Sequence, residues 1–168
     1  MKHPLIFKVA IILLATIGVT ACSNSNKGMI WDIAPVVLQI EVQDTNGKNL
    51  LDPEIEGNIT ENGIKVIFEK NVYLKDSIPH VSTRAYMPYF YGLKLGKNDN
   101  QGKYKLYFGE FDGAKDHYNR TFVIDWNDGT TNTITFTSTI KWKRNTPKIK
   151  RAYTLDGKTT KNPIVIVK

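Results

Sequence analysis

Apolar and polar residues alternate with a period of two through most of the chain from about residue 30 onward. Successive side chains of a β-strand point to opposite faces, so this alternation predicts strands with one buried face. The first strand is predicted over Ala34–Gln43 and is followed by an Asn46-Gly47 turn. Further strands are predicted at Ile64–Glu69, Asn71–Lys75, Arg84–Leu95, Lys103–Gly109, Arg120–Trp126, Thr133–Lys143, Ile149–Thr154 and Ile164–Val167.

The best-defined unit is a hairpin around the turn formed by residues 127–130. One face of its first strand and the same face of its second strand are apolar, formed by Phe122, Ile124, Trp126, Ile134, Phe136, Ile140 and Trp142. The threonines and lysines between them form the outward face, which suits a half-exposed strand. Ser138 interrupts the apolar series and therefore predicts a bend or a gap in the core at that point.

The pattern predicts an all-β domain, because residues 30–168 contain no segment of useful length with a helical period. Several short strands separated by Gly, Asn and Asp favour an antiparallel β-sandwich. The stretch "IEVQDTNGKNLL" resembles the opening of bacterial immunoglobulin-like and prealbumin-like extracellular domains, which implies a sandwich of one of these two types. A lipocalin-like barrel is the alternative. We expect a single domain over residues 30–168.

Residues 1–21 have the organisation of a secretory signal peptide. Lys2 and Lys8 precede an apolar run of 11 residues from Val9 to Val19. A membrane-spanning helix needs about 20 such residues, whereas a signal peptide needs only a run of this length. A buried core helix is the alternative, but it would require a polar stripe that this run lacks.

Cys22, the single cysteine of the chain, directly follows Val19-Thr20-Ala21. This stretch resembles the lipobox of bacterial lipoproteins. The resemblance implies a diacylglycerol thioether on Cys22, cleavage before it and N-acylation of the new terminus. Several acyl chains on one residue would anchor the protein durably, and the polar residues 22–29 would act as a flexible tether. The alternative is an ordinary cleavage site beside a chance cysteine.

Composition limits the partners and the redox chemistry of the domain. Without residues 1–21 the chain has 147 residues and a net charge of +5, because Lys2 and Lys8 leave with the leader. A domain of this size needs no disulfide, and with Cys22 committed to lipid none is expected. Export excludes nucleic acid as a partner, and leaves anionic lipid, acidic polysaccharide or an envelope protein.

The leader, the polar tether and the β-domain together resemble the small lipoproteins of Bacteroidetes. This resemblance implies a location in the cell envelope, anchored by lipid in the outer membrane, with the periplasmic and surface faces both open. It implies no particular activity.

Residues that could carry enzyme chemistry are few. Neither His80 nor His117 lies in a paired metal-ligand spacing. The acidic stretch "GEFDGAKDHYNR" could supply calcium ligands, and its Glu110 and Asp112 could be paired glycosidase carboxylates. Its spacing matches no EF-hand loop, and acidic residues between two strands are commonly just solvated. We therefore predict no catalytic site, no metal site and no cofactor.

Aromatic residues are concentrated in the middle of the chain, where nine of the 18 lie between Tyr86 and Tyr118. Strand alternation places some of them on the outward face of the sandwich. Exposed tyrosines suit the binding of sugar rings or of protein partners. The alternative is that these aromatics fill the core. The candidate binding surface consists of Tyr86, Tyr89, Tyr91, Tyr107 and Tyr118.

A second candidate surface is basic and lies in "KWKRNTPKIKR". With Trp142 and Ile149 turned inward, its six cations are expected on one solvent face across a turn at residues 145–147. Such a face could hold the domain against anionic lipid A or an acidic glycan. The alternative is a solvated face that protects an edge strand from aggregation. The six residues are Lys141, Lys143, Arg144, Lys148, Lys150 and Arg151.

These observations favour a non-enzymatic binding or adaptor module, anchored to the membrane through Cys22 and directed at a glycan or a protein partner. A structural or assembly subunit of an envelope structure is the main alternative, and a glycan-active enzyme is the third. An assembly subunit should show a free donor strand, for which the segment "NPIVIVK" is a candidate. An enzyme should show polar groups converging in a pocket.

Overall fold

The computed structural model describes residues 31–76, 92–97 and 102–168, and every regular element among them is a β-strand. Residues Asp32–Lys168 form one compact unit. The strands are β1 (Val36–Gln43), β2 (Lys65–Phe68), β3 (Asn71–Leu74), β4 (Leu93–Lys97), β5 (Tyr104–Phe111), β6 (His117–Asp125), β7 (Thr131–Lys143), β8 (Thr146–Leu155), β9 (Lys158–Thr160) and β10 (Ile164–Val167).

The strands form two sheets that enclose one hydrophobic core. The first sheet has four strands in the order β10-β1-β5-β4, and the second has six in the order β3-β2-β6-β7-β8-β9. Neither sheet closes on itself among the described strands. The predicted all-β sandwich is therefore confirmed, and the lipocalin-like barrel is wrong. The choice between the immunoglobulin-like and prealbumin-like types stays a prediction.

Strand β1 lies inside the first sheet and shows why alternation predicts a strand. Its residues are alternately buried and half-buried along its whole length. On one side it pairs antiparallel with β5, and on the other it pairs parallel with β10, the one parallel pair of named strands. The Asn162 side chain continues the pairing with β1 before β10 begins. Its amide oxygen accepts a hydrogen bond from the Gln39 N–H at 2.8 Å, and its amide nitrogen donates to the Val37 carbonyl at 2.9 Å.

A β-bulge in β5 keeps its apolar residues on the core face although two of them are three residues apart, not two. Phe108 pairs with Leu38 and Phe111 pairs with Val36, so β5 carries one extra residue between these two pairs. Gly109 lies in the bulge with a φ of 66°. A Cβ at this position would lie 2.8 Å from the Phe111 ring. Glycine therefore lets Phe108 and Phe111, three residues apart, both point into the core.

Aromatic rings from both sheets meet in the centre of the sandwich. Phe68 of the second sheet makes edge contacts with Phe108 and Phe111 of the first, at 5.9 and 5.6 Å between ring centroids. Phe111 also packs on Phe136, with the centroids 4.7 Å apart. Each such pair contributes about 0.5–1.5 kcal/mol beyond the burial of its area.

Lys168, which follows β10, ties the first sheet to the turn between β6 and β7. Its backbone N–H donates to the Gln43 carbonyl at 2.9 Å. Its ammonium contacts the Asp128 carboxylate, donates to the Thr130 hydroxyl at 2.9 Å and lies 5.0 Å from the centre of the Trp126 ring. The Lys168 ammonium and the Thr130 groups hold the pKa of Asp128 well below its usual range.

Most predicted strands correspond to observed ones, with shifted ends. The strand predicted at Arg84–Leu95 lies outside the described residues up to position 91, and β4 occupies Leu93–Lys97. Strand β9 (Lys158–Thr160) was not predicted, because three polar residues carry no hydrophobic alternation. The segment proposed as a donor strand is β10, which already pairs with β1 of its own sheet.

Candidate functional site

The predicted tyrosine surface is not one continuous platform among the described residues. Tyr86, Tyr89 and Tyr91 lie outside them. Tyr107 belongs to β5 of the first sheet and Tyr118 to β6 of the second. The two tyrosines whose positions are described therefore belong to two different surfaces, and each is considered by itself.

Tyr107 lines a shallow groove on the outer face of the first sheet, with a volume of about 340 Å³. Its ring packs across Gly96 of the neighbouring strand, where a Cβ would lie 3.1 Å from the ring. Lys94, Lys97 and Glu110 also line the groove. Tyr107 points away from the core, as the alternation predicts, and its groove could admit a small polar ligand.

A buried ion pair lies on the same face as the groove. The Lys105 ammonium is 2.7 Å from a Glu41 carboxylate oxygen, and the Lys105 side chain is only 2% exposed. Lys105 and Glu41 lie on neighbouring strands of the first sheet. This pair is structural, because a cation that is so little exposed has no surface to offer a ligand.

The basic segment forms a two-stranded ribbon that extends beyond the body of the second sheet. The last register pair between β6 and β7 is His117 with Ser138. Strand β9 pairs with β8 only at residues 153–155. Between Thr139 and Lys143, β7 therefore has β8 as its only strand partner in the described chain, and we call residues 139–150 the ribbon.

The turn at the tip of the ribbon differs from the prediction. Lys143 pairs with Thr146, so the turn consists of Arg144 and Asn145 rather than residues 145–147. Both turn residues have positive φ, 48° and 64°. Positive φ at both positions is the two-residue geometry that matches the twist of hairpin strands. Pro147 is then part of β8, opposite Trp142.

The apolar face of the ribbon is exposed, which overturns the prediction that Trp142 and Ile149 point inward. Trp142 is 59% exposed and Ile149 is 43% exposed. They lie on the same face of the hairpin as Phe136 and Ser138, and in the body of the sandwich that face is buried. In the described chain this face is covered by strands β1 and β5 of the first sheet. Strand β1 begins at Val36, and strand β5 ends at Phe111. Beyond Ser138 none of the described strands of the first sheet lies opposite this face, and Trp142 and Ile149 meet solvent.

The six cations do not form one face. Lys141 pairs with Lys148, and Lys143 and Lys150 lie on the same face of the ribbon as these two. Trp142 lies on the other face. Arg144 lies in the turn. Arg151 pairs with Ser138 and therefore lies on the Trp142 side, at the root of the ribbon. The prediction of a single cationic face is thus correct for the four lysines and wrong for Arg151.

Asp116, just before β6, and Tyr118, in β6, lie at the root of the ribbon. Asp116 accepts a hydrogen bond from the Ile140 backbone N–H at 2.7 Å and another from the Tyr118 hydroxyl at 2.8 Å. The Ile140 N–H, followed by the Tyr118 hydroxyl, lowers the pKa of Asp116. Hydrogen bonding to the Asp116 carboxylate in turn raises the pKa of Tyr118. Tyr118 is 65% exposed, beside the point where the ribbon leaves the sheet.

The root of the ribbon also meets the segment that leads into β1. The Arg151 guanidinium donates a hydrogen bond to the Ala34 carbonyl at 2.8 Å. A Cβ on Gly113 would lie 2.1 Å from that same carbonyl oxygen, so the backbone of residues 33–34 passes directly over Gly113. The segment preceding β1 and the ribbon therefore lie at the same end of the sandwich.

The acidic stretch before β6 serves local structure. Asp112 accepts from the Ala114 N–H at 2.8 Å, and the His117 ring contacts the Asp112 carbonyl at 2.8 Å. Asp116 holds the ribbon as described above. Among the described residues no group of three or more His, Cys, Asp or Glu side chains is arranged to hold a metal ion.

One signal in the sequence pointed to the ribbon. The predicted strand Thr133–Lys143 has 11 residues and the observed β7 has 13, whereas strands usually have five or six. A strand this long next to a nine-residue β6 must extend past its neighbour. The alternation by itself carried no information about where the opposing sheet ends.

In the described residues no helix is long and apolar enough to cross a membrane. Comparison of the chain with family models, with curated proteins and with solved structures finds no match in any of the three. Arguments about function therefore rest on the sequence and on the geometry above.

Proposed function

We propose that the protein is a lipid-anchored, non-enzymatic binding module of a bacterial cell envelope, and that the ribbon is the surface through which it binds its envelope partner. The observation that carries this proposal is the exposed pair Trp142 and Ile149 on a ribbon held away from the sandwich. Trp is among the residues most enriched in the energetically dominant parts of interfaces. A contiguous exposed apolar patch is typical of a site of protein–protein or membrane interaction.

The location in this proposal rests on Cys22, which lies outside the described residues, and on its lipobox-like context Val19-Thr20-Ala21. A membrane anchor restricts the partners of the ribbon to what lies within reach of the bilayer. Partners with anionic groups are favoured, because the segment from Thr130 to Leu155 contains nine threonine or serine hydroxyls and six cations but no acidic residue.

The anchor is tested by replacing Cys22 with Ala and fractionating cells. The wild-type protein should sediment with membranes and the Cys22→Ala variant should not. A variant that still sediments with membranes in full would contradict the anchor. Intact mass of the purified wild-type protein provides a second measurement, because acyl chains on Cys22 add a defined mass.

The binding surface is tested by photo-crosslinking in cells, with a photoreactive phenylalanine analogue in place of Trp142. The matched control carries the analogue at Val72, which is 57% exposed on β3 of the same sheet. We expect an adduct of one defined lipid, glycan or protein, identified by mass spectrometry, from position 142 and not from position 72. Equal labelling at the two positions, or none at position 142, would contradict the ribbon as the binding surface.

A further inference from the structure

We propose that the ribbon docks on an anionic lipid bilayer, with Trp142 and Ile149 inserted at the level of the headgroups. This inference rests on the proposed function, because it names the partner of the same surface. It assigns the ribbon the task of holding the anchored domain in one orientation on its own membrane.

The apolar side of the ribbon has the chemistry of a membrane interface. Trp142 and Ile149 are exposed, Ile140 and Pro147 beside them are half-buried, and all four share one face. Tryptophan is enriched at membrane interfaces because its ring is apolar and its N–H can meet the headgroups. The ribbon spans five residue pairs, about 17 Å, which exceeds the 5–10 Å to which interfacial segments enter a bilayer.

The charge of the ribbon favours an anionic surface over a neutral one. Lys141, Lys143, Lys148 and Lys150 are all exposed on the second side of the ribbon. None of the four has a carboxylate partner in the described part of the chain. Long lysine side chains can reach from such a position to the headgroups while the apolar side lies deeper. Basic residues close to an anionic bilayer each add to the binding.

The position of the ribbon in the fold places it within reach of the anchored membrane. Arg151, at the ribbon root, donates to the carbonyl of Ala34, just before β1. Only residues 23–33 separate Ala34 from the predicted lipid site at Cys22. Twelve Cα–Cα steps span at most about 40 Å when fully extended. The bilayer that would hold Cys22 is therefore accessible to the ribbon at the same end of the sandwich.

The experiment uses the full-length protein purified from membranes and reconstituted into vesicles that contain brominated lipid, which quenches tryptophan in contact with it. Because Trp31 and Trp126 also emit, the signal of Trp142 is the difference between the wild type and Trp142→Phe. We expect this difference signal to be quenched in vesicles that contain phosphatidylglycerol. Quenching should be much weaker in pure phosphatidylcholine, and at about 0.5 M NaCl, where the Debye length falls to a few ångströms.

A charge variant and its matched control test the electrostatic part. Changing Lys141, Lys143, Lys148 and Lys150 to Gln should remove most of the quenching of Trp142. The control variant should keep the quenching of Trp142. It changes to Gln four exposed lysines outside the ribbon, which are Lys70, Lys94, Lys158 and Lys161. An equal effect of the two variants would overturn the assignment of the ribbon as the contact.

The outcomes separate this inference from the function on which it rests. If Trp142 stays unquenched while Cys22 is acylated, the anchor stands and the bilayer assignment is overturned. If the crosslinker at position 142 captures a glycan or a protein rather than lipid, the ribbon remains the binding surface and the bilayer is again overturned. Quenching of Trp142 without acylation of Cys22 would support the bilayer contact and remove the anchor.

Discussion

The carboxylate of Asp116 accepts a hydrogen bond from the backbone N–H of Ile140 at 2.7 Å, and this contact ties the ribbon to the body of the sandwich. Ile140 is the second residue of β7 beyond the last pair with β6. Asp116 thus takes the place of the missing strand at this position. It satisfies a backbone donor that would otherwise face solvent at the free edge of the ribbon.

Acid should loosen the root of the ribbon. The Ile140 N–H, and after it the Tyr118 hydroxyl, lowers the pKa of Asp116 in the folded protein. A carboxyl with a lowered folded pKa adds stability above its unfolded value of about 4, and this contribution is lost as the pH falls through the folded value. Protection of the Ile140 amide in hydrogen exchange, corrected for the intrinsic rate, should therefore fall below about pH 4.

Two variants control this experiment. Asp116→Asn should remove most of the pH dependence of Ile140 protection, because the amide has no proton to gain in this range. Asp156→Asn alters a different acceptor, which bonds the Thr133 N–H at 2.7 Å, and should leave Ile140 protection unchanged. Ile140 protection that is the same at all pH values in the wild type would contradict the role of Asp116.

Ser138→Ala should stabilise the protein. Ser138 is fully buried, and its hydroxyl has no hydrogen-bond partner in the described structure. A buried polar group without a partner costs about 1–3 kcal/mol, and alanine removes it with little change in volume. We expect the free energy of unfolding, measured by urea denaturation, to rise by about 1 kcal/mol.

Thr137→Val is the matched comparison for this substitution. The Thr137 hydroxyl accepts a hydrogen bond from the Asn119 N–H and donates one to the Asn119 side-chain oxygen, both at 3.2 Å. The loss of these bonds should lower the free energy of unfolding by about 0.5–1.5 kcal/mol. Opposite signs for these neighbours are the expected outcome, and a clear loss of stability in Ser138→Ala would show that its hydroxyl has a partner.

Gly113→Ala should destabilise the contact between the segment before β1 and the loop after β5. The added Cβ would lie 2.1 Å from the Ala34 carbonyl oxygen and 2.6 Å from that of Ile33, so the backbone must move. Overpacking of this kind typically costs about 1–3 kcal/mol. The measurement is thermal unfolding. Ala114→Ser, one residue further along and exposed, should leave the midpoint almost unchanged.

The ion pair between Lys105 and Glu41 should show strong coupling in a double-mutant cycle. Glu41→Gln leaves the 2%-exposed ammonium of Lys105 without its charged partner, which should cost about 3 kcal/mol of unfolding free energy. Lys105→Met removes the cation and should cost less. The double variant Lys105→Met with Glu41→Gln should be more stable than Glu41→Gln alone. Additive effects of the two substitutions would show that the charges do not interact.

The sequence alone determined the fold class and most of the strands. Alternation of apolar residues, as in Val36, Leu38, Ile40 and Val42, is a local property of the chain, and all four side chains are buried as predicted. The same logic placed Tyr107 outward and predicted the hairpin of β6 and β7. It also predicted a bend or a gap in the core at Ser138, where the apolar series is interrupted. Ser138 is buried, and Trp142, further along the same face, is exposed.

Only the tertiary structure decided which apolar residues are covered. Trp142 and Ile149 lie on the same face of the hairpin as Ile134 and Phe136 and resume the apolar alternation after Ser138, yet they are exposed, because β1 begins at Val36 and β5 ends at Phe111 on the opposing sheet. Burial depends on an element that is distant in sequence, so a periodic pattern cannot report where that element stops. For this reason the sequence predicted a cationic face, and the fold produced an amphipathic ribbon.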